Sequence, residues 1–330
     1  MKESPILTAT DENIRKAASI IRKGGIVAFP TETVYGLGAD ALNEKAVARI
    51  FEAKERPLFD PLIVHIGSRE QLKLLTDEIN DVHRRLMDAF WPGPLTIVFK
   101  KSPAVPYITT GGLDTVAVRM PSHPVALKLI RYSEKPIAAP SANRFGYPSP
   151  TRAEHVYRQL GDRVDMILDA GKTPHGIEST IVYVEGNAIY LLRAGATPPE
   201  EIEKVTGLKV IRKSKKMAPG QLPYHYSPTT PVLLIESIEE VEELLKKFDR
   251  IALITFRKEE IPEEWKEKVI HDWLSQEGDL REAASNLFDK MHQYDEMNLD
   301  AMVFQKAPDE GLGIAINERL EKASRRYSSR

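Results

Sequence analysis

The sequence predicts an α/β (α+β) protein: a mixed sheet with helices on its faces, followed by a smaller α/β domain. Three observations predict it. Helix-period stretches alternate with short buried-strand runs along the chain. That periodicity stops between about Lys209 and Thr230 and then resumes. The chain has 330 residues, 42% hydrophobic and 28% charged, which is enough for two globular domains. The expected division is a domain over 1–208, a linker or lid over 209–230 and a second domain over 231–330.

Composition narrows the function. A net charge of −2 argues against a dedicated nucleic-acid binder, although a local basic patch stays open. With no cysteine, disulfides, thiol nucleophiles and Cys-ligated metals are excluded, as fits a cytosolic protein. Met1 to Asn13 lacks the apolar core of a signal peptide, and no apolar run approaches the roughly 20 residues that span a bilayer. The expectation is a cytoplasmic protein with no membrane contact.

In chain order, Thr10 caps a helix with Ile14, Ala17, Ala18 and Ile21 on its apolar face, and Gly24 ends it. Ile26 to Phe29 reads as a buried strand. It runs into Pro30-Thr31-Glu32-Thr33-Val34-Tyr35-Gly36-Leu37-Gly38, whose hydroxyls, acid and glycines read as a site loop or as a plain turn. Asn43 to Ala53 is a helix that delivers Lys54-Glu55-Arg56-Pro57-Leu58-Phe59-Asp60-Pro61. Two prolines stiffen that loop, and its two cations suit a carboxylate or phosphate; a solvated basic turn is the bland alternative. Leu62 to Ile66 is a strand containing His65, a residue more often packed than catalytic.

Ser68 with Gln71 reads as a capping box, and Glu78 to Phe90 as a helix stopped by Trp91-Pro92-Gly93-Pro94. Leu95 to Phe99 and Thr115 to Met120 are strands. Arg119, in the second, needs a salt bridge or a ligand. Ile137 to Ala139 opens into a long polar loop, Pro140 to Thr151, and His175 to Thr180 is a further Gly-containing loop. Ile181 to Val184 and Ile189 to Leu192 form a hairpin over Glu185-Gly186-Asn187. Many strands thus end in polar Gly/Pro loops, the usual place for a site in α/β folds, and the cations there predict anionic ligands.

In the second domain, Val232 to Ile235, Ile251 to Phe256 and Ala301 to Phe304 read as strands. Glu239 to Phe248 and Leu280 to His292 read as helices, the latter capped by Asp279 and Glu282. Gly311-Leu312-Gly313 opens a last helix through Leu320, and its glycines offer a weak phosphate-binding signal. There is no Gly-x-x-x-x-Gly-Lys-Ser/Thr loop, no Gly-x-Gly-x-x-Gly after an early strand, no His-Glu-x-x-His and no nucleophile elbow. Any nucleotide is held by scattered loops.

One family shares these loops in this order. Pro30 to Leu37, Lys54-x-Arg56-Pro57 with Pro61-Leu62, Trp91 to Thr96, Ala139-Pro140-Ser141-Ala142-Asn143, Ser179 to Val182 and Leu192-Arg193-x-Gly195 resemble the YrdC-like threonylcarbamoyl-AMP synthases. His225-Tyr226-Ser227-Pro228 and the second domain resemble the long, two-domain branch. The resemblance implies a YrdC-like twisted mixed sheet and a Rossmann-like C-terminal domain. It implies a nucleotidyltransferase that joins L-threonine, bicarbonate and ATP into threonylcarbamoyl-AMP and pyrophosphate, with magnesium ion. The product serves threonylcarbamoyl modification of the adenosine beside the anticodon of tRNA. A tRNA-modifying transferase is then the expected partner, and a weak direct contact with tRNA stays open.

Carried over by motif, Thr33, His65, Arg119, Ala139 and Ser179 surround L-threonine. Lys54, Arg56, Asp60, Thr115, Ser141, Asn143, Ser149, Arg193 and Tyr226 hold ATP, with Lys54 and Arg56 as the catalytic pair and the metal ligands unassigned. The chain departs from the family pattern at Tyr224, where a basic residue is usual, and at Tyr183, where aspartate is common. The rival readings are an RNA- or tRNA-binding module, a carbamoyl transferase on the same fold, and a non-catalytic scaffold.

Overall fold

The computed structural model describes residues 5–212 and 225–326. Most of the expected linker, 213–224 with Tyr224 in it, lies outside the described residues. The described residues fall into two compact units, one of 5–145, 150–174 and 178–212, the other of 146–149, 175–177 and 225–326.

The first unit is built on an eleven-stranded mixed sheet. Its strands are β1 (Ile6–Thr8), β2 (Val27–Pro30), β3 (Tyr35–Asp40), β4 (Ile63–His65), β5 (Leu95–Lys100), β6 (Thr115–Arg119), β7 (Ile137–Ala138), β8 (Met166–Asp169), β9 (Thr180–Glu185), β10 (Ala188–Arg193) and β11 (Val210–Arg212). Their spatial order is β1-β8-β2-β3-β7-β4-β6-β5-β9-β10-β11. The register sets His65 opposite Arg119 and Ile63 opposite Ala117 on parallel β4 and β6.

The helices follow their caps. α1 (Asp11–Arg22) is capped by the Thr10 side chain and buries Ile14, Ala17, Ala18 and Ile21. α2 (Glu44–Lys54) is capped by Asn43 and stops where Glu55 turns left-handed, at φ 54°. The remaining helices are α3 (Arg69–Leu72), α4 (Asp81–Phe90), α5 (Pro124–Ser133), α6 (Ala153–Leu160) and α7 (Pro199–Thr206). A core between α1, α5 and the β2/β8 side of the sheet gathers Ile14, Ile21, Phe29, Leu129, Ile137 and Leu168.

Several expectations are corrected. Tyr35 to Gly38 is not loop but strand: β3 pairs antiparallel with β2. Its glycines serve packing, since a Cβ on Gly38 would sit 2.6 Å from Ile137 Cγ2 and 2.7 Å from Phe29 Cε1. The Ser68 side chain makes no cap bond, and Gln71 accepts from Gly67 N instead, leaving a single short turn of helix. The helix expected from Glu78 starts at Asp81, because Asn80 and His83 form the capping box. Not anticipated from the sequence are β1, β8, β11, α5, α6 and α7, although Pro124 at the first turn of α5 is a standard start signal.

The second unit is a four-stranded parallel sheet of β12 (Val232–Ile235), β13 (Ile251–Arg257), β14 (Val269–Ser275) and β15 (Ala301–Gln305), ordered β12-β15-β13-β14. Its helices are α8 (Val241–Leu244), α9 (Leu280–Asp295) and α10 (Leu312–Ser324), and Asp279 caps α9 as expected. The helix expected over Glu239–Phe248 shrinks to a 3-10 turn and one turn of α8. Glu239, Glu240, Glu242 and Glu243 fall at mutually repelling helical spacings. The edge strand β14 was hidden by His271 and Asp272; the Asp272 carboxylate accepts from Lys290 and from Tyr294 Oη. The glycines before α10 also have a packing reason, since a Cβ on Gly313 would lie 1.8 Å from Pro308 O. Among the described residues no helix is long and apolar enough to cross a membrane.

Candidate active site

Two groups of buried polar side chains mark the site in the first unit. The first sits where the β2–β3 turn meets β6. Arg119, 3% exposed, donates through Nη1 to Thr33 Oγ1 at 3.0 Å and through Nε to Gly93 O at 3.2 Å. Its Nη2 lies 2.6 Å from Glu32 Oε1, and Glu32 Oε2 accepts from Ser122 N at 3.1 Å. Thr31 Oγ1 joins Thr33 Oγ1 at 2.8 Å. Burial works to raise the Glu32 carboxyl, but the Arg119 guanidinium beside it holds it below the usual carboxylate range.

His65 faces the same group. Burial first, then the charge of Arg119, push it down to about 3, so its imidazole is neutral. Its ring meets Phe29 edge-on at 6.4 Å, and its Nδ1 has no hydrogen-bond partner among the described residues.

The second group is cationic. Lys54 ends α2 and is 1% exposed, so it is not a solvated basic turn. Its Nζ donates to the carbonyls of Ser141 and Asn143, tying the two predicted phosphate loops together. Burial and the neighbouring Arg56 pull its ammonium well below the usual lysine range, with Asp60 opposing them. Arg56 Nη2 lies 2.8 Å from Asp60 Oδ2, with both side chains buried, and donates to Pro61 O at 2.9 Å. The Asp60 carboxyl is pushed up by burial, against the pull of Arg56, Lys54 and Arg193.

Arg193 borders both groups. Its Nη2 donates to Ser179 O at 2.9 Å and to Ser179 Oγ at 3.1 Å, while its charge reaches Asp60. Ser179 Oγ pairs with Thr96 Oγ1 at 2.7 Å. On the same sheet, Ile63, Val98, Ala117, Ile181 and Leu192 form a buried apolar cluster. Alternation along the strand puts Thr115 and Ala117 on one face with Arg119.

Ten of the fourteen residues singled out in the sequence lie in or beside the two buried groups. Thr33 and Arg119 share the first hydrogen-bonded group, which His65 faces; Lys54, Arg56, Asp60, Ser141, Asn143 and Arg193 belong to the cationic one, with Ser179 bonded to Arg193. Ala139 N donates to Ile63 O at 2.9 Å, fixing its backbone beside β4. Thr115 stands at the other end of β6 from Arg119, roughly 13 Å away at 3.3 Å per residue. Ser149 and Tyr226 belong to the second unit. There Ser149 O meets His292 Nε2 at 3.0 Å. Tyr226, at φ 65° and 1% exposed, packs on Phe288 with ring centroids 5.4 Å apart, and the Arg319 guanidinium lies 5.6 Å from its centroid.

Sequence reasoning missed two members of the site, Glu32 and Thr96. Both stand inside the motifs that carried the resemblance. The signal for Glu32 was an acid beside hydroxyls at a strand end, together with a strand arginine in need of a partner.

Comparison with known proteins agrees with this architecture. The Sua5_yciO_yrdC family model, described as "Telomere recombination", matches residues 19–195. One described as "Threonylcarbamoyl-AMP synthase, C-terminal domain" matches 197–325. The chain is 46% identical to the threonylcarbamoyl-AMP synthase of Pyrococcus abyssi, covering 94% of each chain. It is 41% identical to that of Bacillus subtilis, over 96% of this chain and 94% of the relative. The crystal structure of P. abyssi Sua5 complexed with L-threonine superposes with a TM-score of 0.88 at 44% identity, over 97% of this chain and 96% of that one. The mixed sheet, the parallel second unit and near full-length matches to both domains have one reading: the chain belongs to the two-domain branch of the threonylcarbamoyl-AMP synthases, transferases of tRNA modification.

Proposed function

We propose that this protein condenses L-threonine, bicarbonate and ATP into threonylcarbamoyl-AMP and pyrophosphate, for transfer by a partner enzyme to the adenosine beside the tRNA anticodon. The observation that carries the reading is a charge-balanced buried group, Arg119 with Glu32, bordered through Ser179 and Arg193 by a group with surplus positive charge. An amino acid suits the first and a triphosphate the second. The relative solved in complex with L-threonine supports an amino-acid substrate.

In this reading Arg119 takes the threonine carboxylate, with Thr33, His65, Ser179 and the Ala139 backbone around the rest of the molecule. The neutral His65 imidazole accepts a hydrogen bond through Nδ1. Bicarbonate loses hydroxide to give carbon dioxide; the neutral threonine amine attacks its carbon and releases a proton, giving a carbamate. A carbamate oxygen then attacks the α-phosphorus of ATP, and pyrophosphate leaves. No protein nucleophile is required. Lys54, Arg56 and Arg193 neutralise charge as the pyrophosphate departs, with Ser141 and Asn143 framing the phosphates. Thr115 and the apolar cluster on the sheet suit the nucleoside.

Magnesium belongs to the same proposal. Among the described residues no three His, Asp or Glu side chains gather to hold a metal ion. An ion carried by ATP phosphates asks the protein for one or two carboxylates. Asp60, the carboxylate within the cationic group, would hold it, and the ion would supply charge neutralisation on the phosphates. The test is pyrophosphate release from ATP with threonine and bicarbonate each supplied or omitted. Release is expected only with both. Release from ATP alone, or under no condition, would overturn the reading.

A further inference from the structure

We propose that Glu32 sets the charge form of the amino acid that the Arg119 pocket accepts. The inference rests on the reading that this pocket takes L-threonine. Both side chains are buried, Glu32 at 4% exposure and Arg119 at 3%. The carboxylate is held at both oxygens, by Arg119 Nη2 and by Ser122 N. The guanidinium is held at all three nitrogens, by Glu32, Thr33 and Gly93. The other titratable groups facing the pair are His65 and His123, and burial drives both toward the neutral imidazole. The pocket therefore balances at one positive and one negative charge.

A ligand carboxylate that settles on Arg119 upsets that balance. The guanidinium would then face two anions in a site with little water, and the excess negative charge would be costly. An α-amino acid removes the excess itself, because its ammonium lies one carbon from its carboxylate. A hydroxy acid of the same skeleton does not. Glu32 thus rejects simple carboxylates, which a lone buried arginine would welcome. It also explains an acid in a pocket meant for an acid, which a purely attractive design would leave out. Glu32 is a specificity-determining residue here, and it needs no contact with the reacting atoms.

The test is calorimetric titration of the full chain with L-threonine and with 2,3-dihydroxybutyrate, in which a hydroxyl replaces the ammonium. Wild-type protein should bind threonine about 10- to 100-fold more tightly than the hydroxy acid, the span expected of one charge-assisted contact. Glu32→Gln should erase or reverse that preference, and Glu32→Asp should keep it. An equal loss for both ligands in Glu32→Gln would overturn the proposal, because Glu32 would then only orient Arg119. So would an unchanged preference. A second arm uses wild-type protein alone. Raising the pH through the titration of threonine's own amine should weaken threonine binding and leave the hydroxy acid unaffected. Threonine affinity that holds or rises would overturn the proposal without any variant having to fold. Wild-type protein that binds no threonine at all would overturn the pocket reading itself, a result distinct from either of these.

Discussion

The two polar groups of the first unit bury charge in opposite ways. Around Arg119 the charges match one to one, and each side chain is also held by backbone or hydroxyl groups. Around Arg56 three cations share one carboxylate, and part of their hydrogen bonding goes to loop carbonyls. The two carboxyls respond in opposite directions. Glu32 is held below the usual range by its arginine, while burial pushes Asp60 above it. A matched pair offsets much of its own burial cost, whereas a surplus of buried cations carries a cost that a bound anion would offset.

The largest expected effect breaks the cationic side. Arg56→Ala should lower pyrophosphate release by at least about 100-fold, the scale of losing one preorganised charge at a developing anion. Threonine binding, measured by calorimetry, should survive. Near-normal turnover would mean that the loop merely fills space.

The matched side should break as stability rather than rate alone. Arg119→Ala leaves Glu32 buried without its cation, which costs about 3–5 kcal/mol in urea unfolding. Adding Glu32→Gln to that variant should restore much of the loss, because the stranded charge is gone. A double variant no more stable than the single one would show that packing, not charge, is what Arg119 provides.

The smallest effect sharpens the comparison through pH. Glu32 has a folded-state value below its unfolded one. Its contribution is present above roughly pH 4.3, the unfolded reference, and is lost as pH falls through the folded value. Asp60 runs the other way: its folded-state value is raised, so the protein loses stability as pH rises from about 3.9 through that value. Urea midpoints between pH 3 and 7 should therefore rise less with pH in Glu32→Gln than in wild type, and more in Asp60→Asn. Parallel profiles for all three proteins would remove the asymmetry.

Much of this was legible in the sequence because its signals are local. The Thr10 and Asn43 caps and the Gly186-Asn187 turn act within a few residues, and α1, α2 and the hairpin appear where expected. The family motifs likewise named Lys54, Arg56, Thr33 and Arg119. What escaped depended on distant neighbours. Gly36 and Gly38 read as loop until Phe29 and Ile137 are seen pressing on them from other strands. Glu32 acquires a meaning only when Arg119, 87 positions along the chain, is folded against it. Tyr226 was expected over a nucleotide by resemblance, but its burial against Phe288 and Arg319 depends on α9 and α10.

The contact of Arg193 with Ser179 has a consequence for how the enzyme fills. One guanidinium bonds the Ser179 hydroxyl, on the proposed amino-acid side, while its charge reaches the Asp60 carboxylate, on the proposed phosphate side. A ligand that draws Arg193 toward one side changes what the other side offers. Occupancy is then thermodynamically linked. If a non-hydrolysable nucleotide tightens threonine binding by some factor, threonine must tighten nucleotide binding by the same factor. Arg193→Met should bring that factor close to one, so that the two ligands bind independently.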